Sequence, residues 1–282
     1  MSEVRVDPVT GASVVIVGPR QDRPNLPSAT CPFCPGGLEA QEPYRVRWFT
    51  NRWPPLPAGR AEVVLYTPDH RASFASLGVD GARRVVDLWA ARTHALGARP
   101  DVAYVLVFEN RGAEVGATIS HPHGQIYAFA DVPPVPAREL ATGRCALCPV
   151  EPGGQLVAHA GGWRAWVPQA ATWPYELLIA PVDHLADLPA LDGASRDGLA
   201  AVLVDALGRL DRLFAAPMPY MMWLHQRPTE GDPWAAAHVH AHVAPLYRAA
   251  GTPRFVAAGE LGSGVHFNPV EPARAADELR RA

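Results

Sequence analysis

Cys31-Pro32-Phe33-Cys34 returns in the second half of the chain as Cys145-Ala146-Leu147-Cys148, and that return decides the fold. From Cys34 to His70, and again from Cys148 to His184, the chain runs 36 residues. A strand-like run precedes each histidine: Ala61 to Tyr66 before Pro68-Asp69-His70, and Glu176 to Ile179 before Pro181-Val182-Asp183-His184. Each half then offers an amphipathic helix. Arg83 to Leu96 gathers Val85, Leu88 and Trp89 on one face, and Leu199 to Phe214 repeats Leu199, Val202, Leu203, Ala206, Leu207 and Leu210 at helical spacing. An apolar strand follows each helix, Tyr104 to Phe108 or Tyr220 to Leu224. A loop then leads to a His-x-His strand, His121/His123 or His240/His242. Even the approaches agree, with Arg47 to Pro55 resembling Trp166 to Pro174. This ordered recurrence predicts an α+β protein of two homologous halves, each an antiparallel sheet with a packed helix, related by internal duplication. The proline-rich stretch Asp131 to Ala137 cannot continue a central strand, so the expected units are 1–137 and 138–282. Arg254 to Ala282 has no counterpart in the first half and is expected to close over a site.

The composition is that of a soluble globular chain: 282 residues, 48% hydrophobic and 19% charged. A net charge of -3 gives no electrostatic reason for nucleic acid or a membrane surface as partner. The chain contains no lysine, so an anion must be met by guanidinium, imidazole or backbone N–H. No apolar stretch reaches the roughly 20 residues of a membrane span, and Met1 to Arg5 begins no secretory signal, so a cytoplasmic location is expected.

In a reducing compartment, four cysteines in two C-x-x-C pairs point to metal ligation rather than disulfides. Cys31, Cys34, His70 and His121 compose a Cys2His2 set, the thiolate and imidazole complement that zinc takes in closed structural sites. Internal symmetry gives a possible second set, Cys145, Cys148, His184 and His240. Both would be structural, because protein fills all four positions.

His121-Pro122-His123-Gly124-Gln125 is the segment with the most chemistry. Where one histidine is held structurally by a cation, its neighbour two residues on can serve a cleft. A glycine directly after the second histidine permits close backbone approach. A neutral imidazole already carries a nucleophilic lone pair and needs no general base to expose it.

Across Phe108-Glu-Asn-Arg-Gly-Ala-Glu-Val-Gly-Ala-Thr-Ile-Ser-His-Pro-His-Gly-Gln-Ile-Tyr127 the chain resembles the galactose-1-phosphate uridylyltransferases, a double-repeat branch of the histidine-triad superfamily. The resemblance runs over almost the whole chain. It implies ping-pong transfer of UMP between hexose 1-phosphates, with His123 as nucleophile and Gln125 hydrogen-bonded to the phosphoryl oxygens. It also implies nucleotide and phosphate contacts from Arg20, Arg23, Asn51, Asn110, Gly116 and Thr118, and sugar contacts from Phe255 and Glu260. The family's aspartate after Asn51 is Arg52 here, which departs from its pattern of ribose or base contacts. The family further implies a metal set of Glu139, His225, His240 and His242, which competes with the second cysteine set for His240. The second C-x-x-C favours the cysteine set, with His238 left over as a non-ligand.

The expected enzyme is thus a UDP-glucose–hexose-1-phosphate uridylyltransferase. It needs structural zinc, no metal at the reacting phosphate and no organic cofactor. Its substrates are a nucleoside diphosphate sugar and a hexose 1-phosphate, and the resemblance implies a homodimer. Two alternatives stand beside it. One is an ADP- or GDP-sugar or dinucleotide phosphorylase or nucleotidyltransferase using the same intermediate. The other is a zinc-stabilised nucleotide-binding module without catalysis.

Overall fold

The computed structural model describes residues 3–22, 30–57, 59–231 and 234–282. An exposed antiparallel hairpin, β1 (Glu3–Val6) and β2 (Ser13–Ile16), opens the chain. β3 (Arg47–Thr50) and β4 (Ala61–Leu65) follow, then the helix α1 (Gly78–Gly97) and the strands β5 (Tyr104–Arg111) and β6 (His123–Phe129). After the short helix α2 (Pro134–Leu140) come β7 (Leu156–Ala160), β8 (Trp163–Trp166), β9 (Leu177–Pro181) and α3 (Gly193–Leu213). The chain ends with β10 (Tyr220–His225), β11 (His240–Pro245), the small pair β12 (Tyr247–Ala249) and β13 (Thr252–Pro253), and the helices α4 (Ala258–Ser263) and α5 (Pro272–Arg281).

The two half-sheets join edge to edge in one antiparallel sheet of nine strands, ordered β3-β4-β6-β5-β10-β11-β9-β8-β7. Helix, strand, loop and His-x-His strand recur in the order that the sequence predicts. The join is β5 against β10, where Phe108 lies opposite Trp223. On β6 the partner of Phe108 is Gln125, and on β11 the partner of Trp223 is His242. The Phe108–Trp223 pair therefore lies at the centre of the duplication, and Gln125 and His242 are equivalent positions. The expected boundary at 137/138 falls inside α2.

Alternation along the strands sorts side chains between two faces. Val64, Val105, Val107 and Ile126 turn to one face and pack with Val85, Val86 and Trp89 of α1. Val243 and Ala241 do the same with Leu199, Val202 and Leu203 of α3. Each large apolar side chain fully buried there contributes roughly 1.5–3 kcal/mol. α3 starts on Asp192, whose carboxylate accepts from the Ser195 N–H at 2.7 Å, an N-cap that satisfies one orphan donor. The opposite face carries the smaller cluster of Phe33, Ala40, Val63 and Leu65, which seats the first cysteine loop beside His123. Helices thus cover one face, and loops rich in Cys, His and Gly build on the other.

Candidate active site and metal clusters

His123 begins β6 on the loop-bearing face, with its ring centroid 5.1 Å from that of Phe33. Its Nδ1 lies 2.7 Å from the carbonyl oxygen of His121. A carbonyl only accepts, so Nδ1 carries the proton and donates, and the lone pair resides on Nε2. Two residues on, Gln125 faces the same way. Its side-chain oxygen accepts from Asn51 Nδ2 at 3.3 Å and from the Tyr127 hydroxyl at 3.4 Å. With the oxygen so engaged, the amide flip is fixed and the NH2 end remains as a donor pair. Asn51 is itself held by accepting from the Trp53 N–H at 2.8 Å.

Beside His123 opens a cleft of about 750 Å³, lined by the stretches 70–73, 109–113 and 116–123 and by Pro217. Asn110, Gly116 and Thr118 are all in that lining. The loop between β5 and β6 turns at Gly112 (φ +101°) and Gly116 (φ +83°), a region that side-chain-bearing residues rarely enter. Two guanidiniums that the sequence pattern does not single out also line the cleft, Arg71 and Arg111. Arg111 is committed to Asp211 at 2.6 Å, and among the described residues the Arg71 guanidinium has no acidic partner.

Other expected contacts are placed elsewhere. Arg20 lies in a 3₁₀ turn, Gly18–Asp22, outside the cleft lining, and Arg23 lies outside the described residues. Arg52 pairs with Glu39 at 2.7 Å, which accounts for the charge that departs from the family pattern. Phe255 and Glu260 do not line the His123 cleft. Phe255 is 78% exposed. Glu260 is buried against Arg254 and accepts from the Ala257 and Phe267 N–H groups, so its carboxylate serves the fold of the terminal segment.

The first cysteine set assembles as expected. Cys34 Sγ lies 3.5 Å from His70 Nδ1 and 3.6 Å from His121 Nδ1, and Cys31 Sγ lies 3.8 Å from His121 Nδ1. A tetrahedral ion with ligand bonds near 2.0–2.3 Å holds its donors roughly 3.3–3.9 Å apart, so these gaps fit one. His121 Nε2 donates to the Thr67 carbonyl at 2.8 Å, which leaves Nδ1 as the ligating nitrogen. Burial holds the His121 pKa below its ordinary value, so the ring is neutral and able to ligate.

The second cysteine set requires a correction. Its fourth member is His238, not His240: Cys145 Sγ is 3.3 Å and Cys148 Sγ 3.7 Å from His238 Nδ1, and Cys148 is 3.2 Å from His184 Nδ1. His238 Nε2 donates to the Pro181 carbonyl at 3.1 Å, as His121 does to Thr67. The repeat of His121 and His123 is thus His238 and His240, one His-x-His step earlier than spacing alone suggests. His240 points away from the cysteines and joins Glu139, His225 and His242 in a third group. With His238 in place of His240, the cysteine set no longer competes with the Glu139 set, and the two groups stand side by side.

In that third group, His225 Nδ1 donates to Glu139 at 3.0 Å, and His240 Nε2 and His242 Nε2 stand 3.6 and 4.0 Å from the same carboxylate. Burial pushes the His240 pKa down to about 4 and that of His242 well below its ordinary value. Burial also works to raise the Glu139 pKa, but the His225 hydrogen bond and neighbouring charges outweigh it and hold the carboxylate ionised. His242 Nε2 is buried without a hydrogen-bond partner among the described residues. Three imidazoles, one carboxylate and an orphaned nitrogen are a donor set that a cation satisfies.

Residues 52–133 match the galactose-1-phosphate uridyl transferase N-terminal domain, and residues 150–261 match the C-terminal domain of the same family. A galactose-1-phosphate uridylyltransferase of Streptomyces lividans is 39% identical over 99% of this chain and 86% of its own. A solved uridylyltransferase structure superposes with a TM-score of 0.89 at 29% identity, over 100% of this chain and 98% of that one. The ADP-glucose phosphorylase of Arabidopsis thaliana, solved with bound ADP-glucose, gives a TM-score of 0.80 at 25% identity, over 100% of this chain and 99% of its own.

Proposed function

The chain belongs to the galactose-1-phosphate uridylyltransferase family, and on that premise we propose that it moves UMP between a UDP-hexose and a hexose 1-phosphate through a uridylyl group carried on His123. The observation that carries this reading is the tautomer of His123. Its Nδ1 proton is tied to the His121 carbonyl, and Nε2 presents the lone pair beside the cleft.

Nε2 attacks the α-phosphorus in line. The N–P bond forms, the bond to the bridging oxygen breaks, and hexose 1-phosphate leaves with that oxygen. A phosphate oxygen of the second hexose 1-phosphate then attacks the same phosphorus and expels Nε2. Neither half-reaction needs a proton from the protein. Catalysis rests on positioning and on donors aimed at phosphoryl oxygens. The Gln125 NH2 group is one donor, held in place by Asn51 and Tyr127. Asn110 and the glycine turn at 112–116 supply others, with Arg71 as a charge. A neutral amide at Gln125 stabilises the bound nucleotidyl group without supplying a proton for water's attack, which favours transfer over hydrolysis.

Zinc fits Cys31, Cys34, His70 and His121, and equally Cys145, Cys148, His184 and His238. Four protein donors close each set, so a bound ion is structural. At the first, a bound ion would pin His121, whose carbonyl orients His123. The Glu139 group fits a further cation of N/O preference. The relative at 39% identity favours a uridine over an adenine nucleotide, against 25% for the ADP-glucose phosphorylase. A homodimer agrees with the exposed Val4, Val6, Val14, Val15 and Ile16 of the β1–β2 hairpin. A cytoplasmic location is in keeping with the described residues, whose helices are all too short or too polar to cross a membrane.

The test is intact-mass analysis after incubation with UDP-glucose carrying label in either the α-phosphate or the sugar. We expect an adduct of one UMP that retains the α-phosphate label and none of the sugar label, and that hexose 1-phosphate discharges. Absence of any adduct would favour a binding module instead.

A further inference from the structure

Glu109 is the one carboxylate on the helix-facing side of β5 and is 3% exposed, between the apolar Val105 and Val107 and the charged Arg111 at the strand's end. Phe108 pairs with Gln125, so Glu109 stands one step along, beside Gly124, the residue between the candidate nucleophile and its amide partner. Gly124 leaves space on that face, and the Tyr66 hydroxyl fills it. A Cβ at Gly124 would stand 2.1 Å from the Tyr66 oxygen. Glu109 Oε1 accepts from the Tyr220 hydroxyl of β10 at 3.0 Å. Glu109 Oε2 and the Tyr66 hydroxyl are both buried and, among the described residues, both lack a hydrogen-bond partner.

We propose that Glu109 is a positioning residue for nucleotidyl transfer: through Tyr66 it sets the backbone between His123 and Gln125 from the far side of the sheet. This rests on His123 being the nucleophile. Ionised, Glu109 accepts from both phenols and draws the Tyr66 hydroxyl off Gly124. Protonated, it is satisfied by Tyr220 and leaves Tyr66 pressed against the glycine. The charged and titratable groups facing Glu109 are Tyr66, Tyr220 and Arg111, with Asp211 of α3 behind Arg111; the Trp89 indole of α1 packs on the Tyr66 ring and does not titrate. Burial pushes the Glu109 pKa up to about 7, against the Tyr220 hydrogen bond and the Arg111 charge. The two states of the carboxyl therefore exchange near neutrality. The adduct-forming step acquires a titration that belongs to a buried carboxyl engaged with Tyr220.

The experiment is rapid-quench formation of the UMP adduct from about pH 5.5 to about pH 8.5 in wild type, Glu109→Gln and Tyr66→Phe, with metal content and circular dichroism measured alongside. We expect an inflection near neutrality in wild type and its loss in both variants, while metal content stays constant. Should Glu109→Gln fail to fold, Tyr66→Phe still removes the link and still loses the inflection. Retention of the wild-type inflection in a folded variant would overturn the proposal. Wild type forming no adduct at any pH would overturn the reading of His123 beneath it, a different result from an adduct with unaltered pH dependence.

Discussion

His123 and His240 occupy the same backbone cradle: each Nδ1 lies 2.7 Å from the carbonyl oxygen of the histidine two residues earlier, His121 in one half and His238 in the other. Each of those earlier histidines turns its own Nδ1 to a cysteine pair. The duplication thus copied a whole device, a histidine held beside a cysteine pair whose carbonyl fixes the tautomer of the next. What differs is the surroundings. Gln125 of β6 stands where β11 has His242, and around His123 lies an open cleft where His240 meets Glu139 and His225. One copy presents a lone pair beside an open cleft, and the other presents it to a donor set suited to a cation.

His123→Gly is expected to abolish adduct formation while metal content and circular dichroism stay at wild-type values. The His123 ring is no member of either cysteine set, and Nδ1 gives up one hydrogen bond to a carbonyl. Labelling should not move to His240, because burial and Glu139 close it off. Parallel loss of activity and one metal equivalent would mean that nucleophile and ligand have been exchanged.

The two histidines of β11 and its approach separate cleanly by metal analysis. His238→Ala is expected to release about one metal equivalent and to make Cys145 and Cys148 reactive to a thiol reagent. His240→Ala should leave those thiols protected. It should instead weaken a cation at Glu139, because His225 and His242 then lack the third imidazole. Thiol exposure in His240→Ala, with protection in His238→Ala, would restore the assignment that spacing suggests.

Much of this architecture is legible in the amino-acid sequence. The 36-residue step from cysteine to histidine marks two equal loops, and the apolar faces of 83–96 and 199–214 mark the helices between them. What spacing does not decide is the register of His238-Val239-His240-Ala241-His242, which contains two His-x-His pairs. A backbone hydrogen bond decides it, and a sequence does not display one. The surroundings of Glu260 are likewise hidden in sequence, since its ion-pair partner Arg254 is six residues back in the same segment. Glu109 escapes notice because it lies inside the family-like motif and passes for part of it. Its signal is a carboxylate in core phase, two residues after the buried Val107.

Gln125→Ala is expected to lower the rate of adduct formation about 100-fold or more, the usual cost of removing one donor to a developing oxyanion. Substrate affinity should change little, because the cleft lining is otherwise intact. Asn51→Ala should show a smaller loss of the same kind, since it removes a contact that orients the amide. A rise in KM with an unaltered single-turnover rate would show that Gln125 binds the ground state alone.

Glu109 makes stability depend on pH in a direction opposite to that of a salt-bridged carboxylate. Its pKa is about 7 in the folded chain, against an ordinary value of 4.5. Between those limits the folded chain keeps a proton that the unfolded chain releases. Its contribution is therefore fully favourable below the lower value and is lost as pH rises to the upper one. A shift of this size corresponds to roughly 3 kcal/mol. Glu109→Gln keeps the shape without the charge, so its stability relative to wild type should rise by about that much between about pH 4.5 and about pH 7, then level off. Paired urea midpoints at about pH 5 and about pH 8 measure the difference directly. If the variant loses ground to wild type as pH rises, Glu109 is ionised and stabilising in the fold, and its place beneath Gly124 has another explanation.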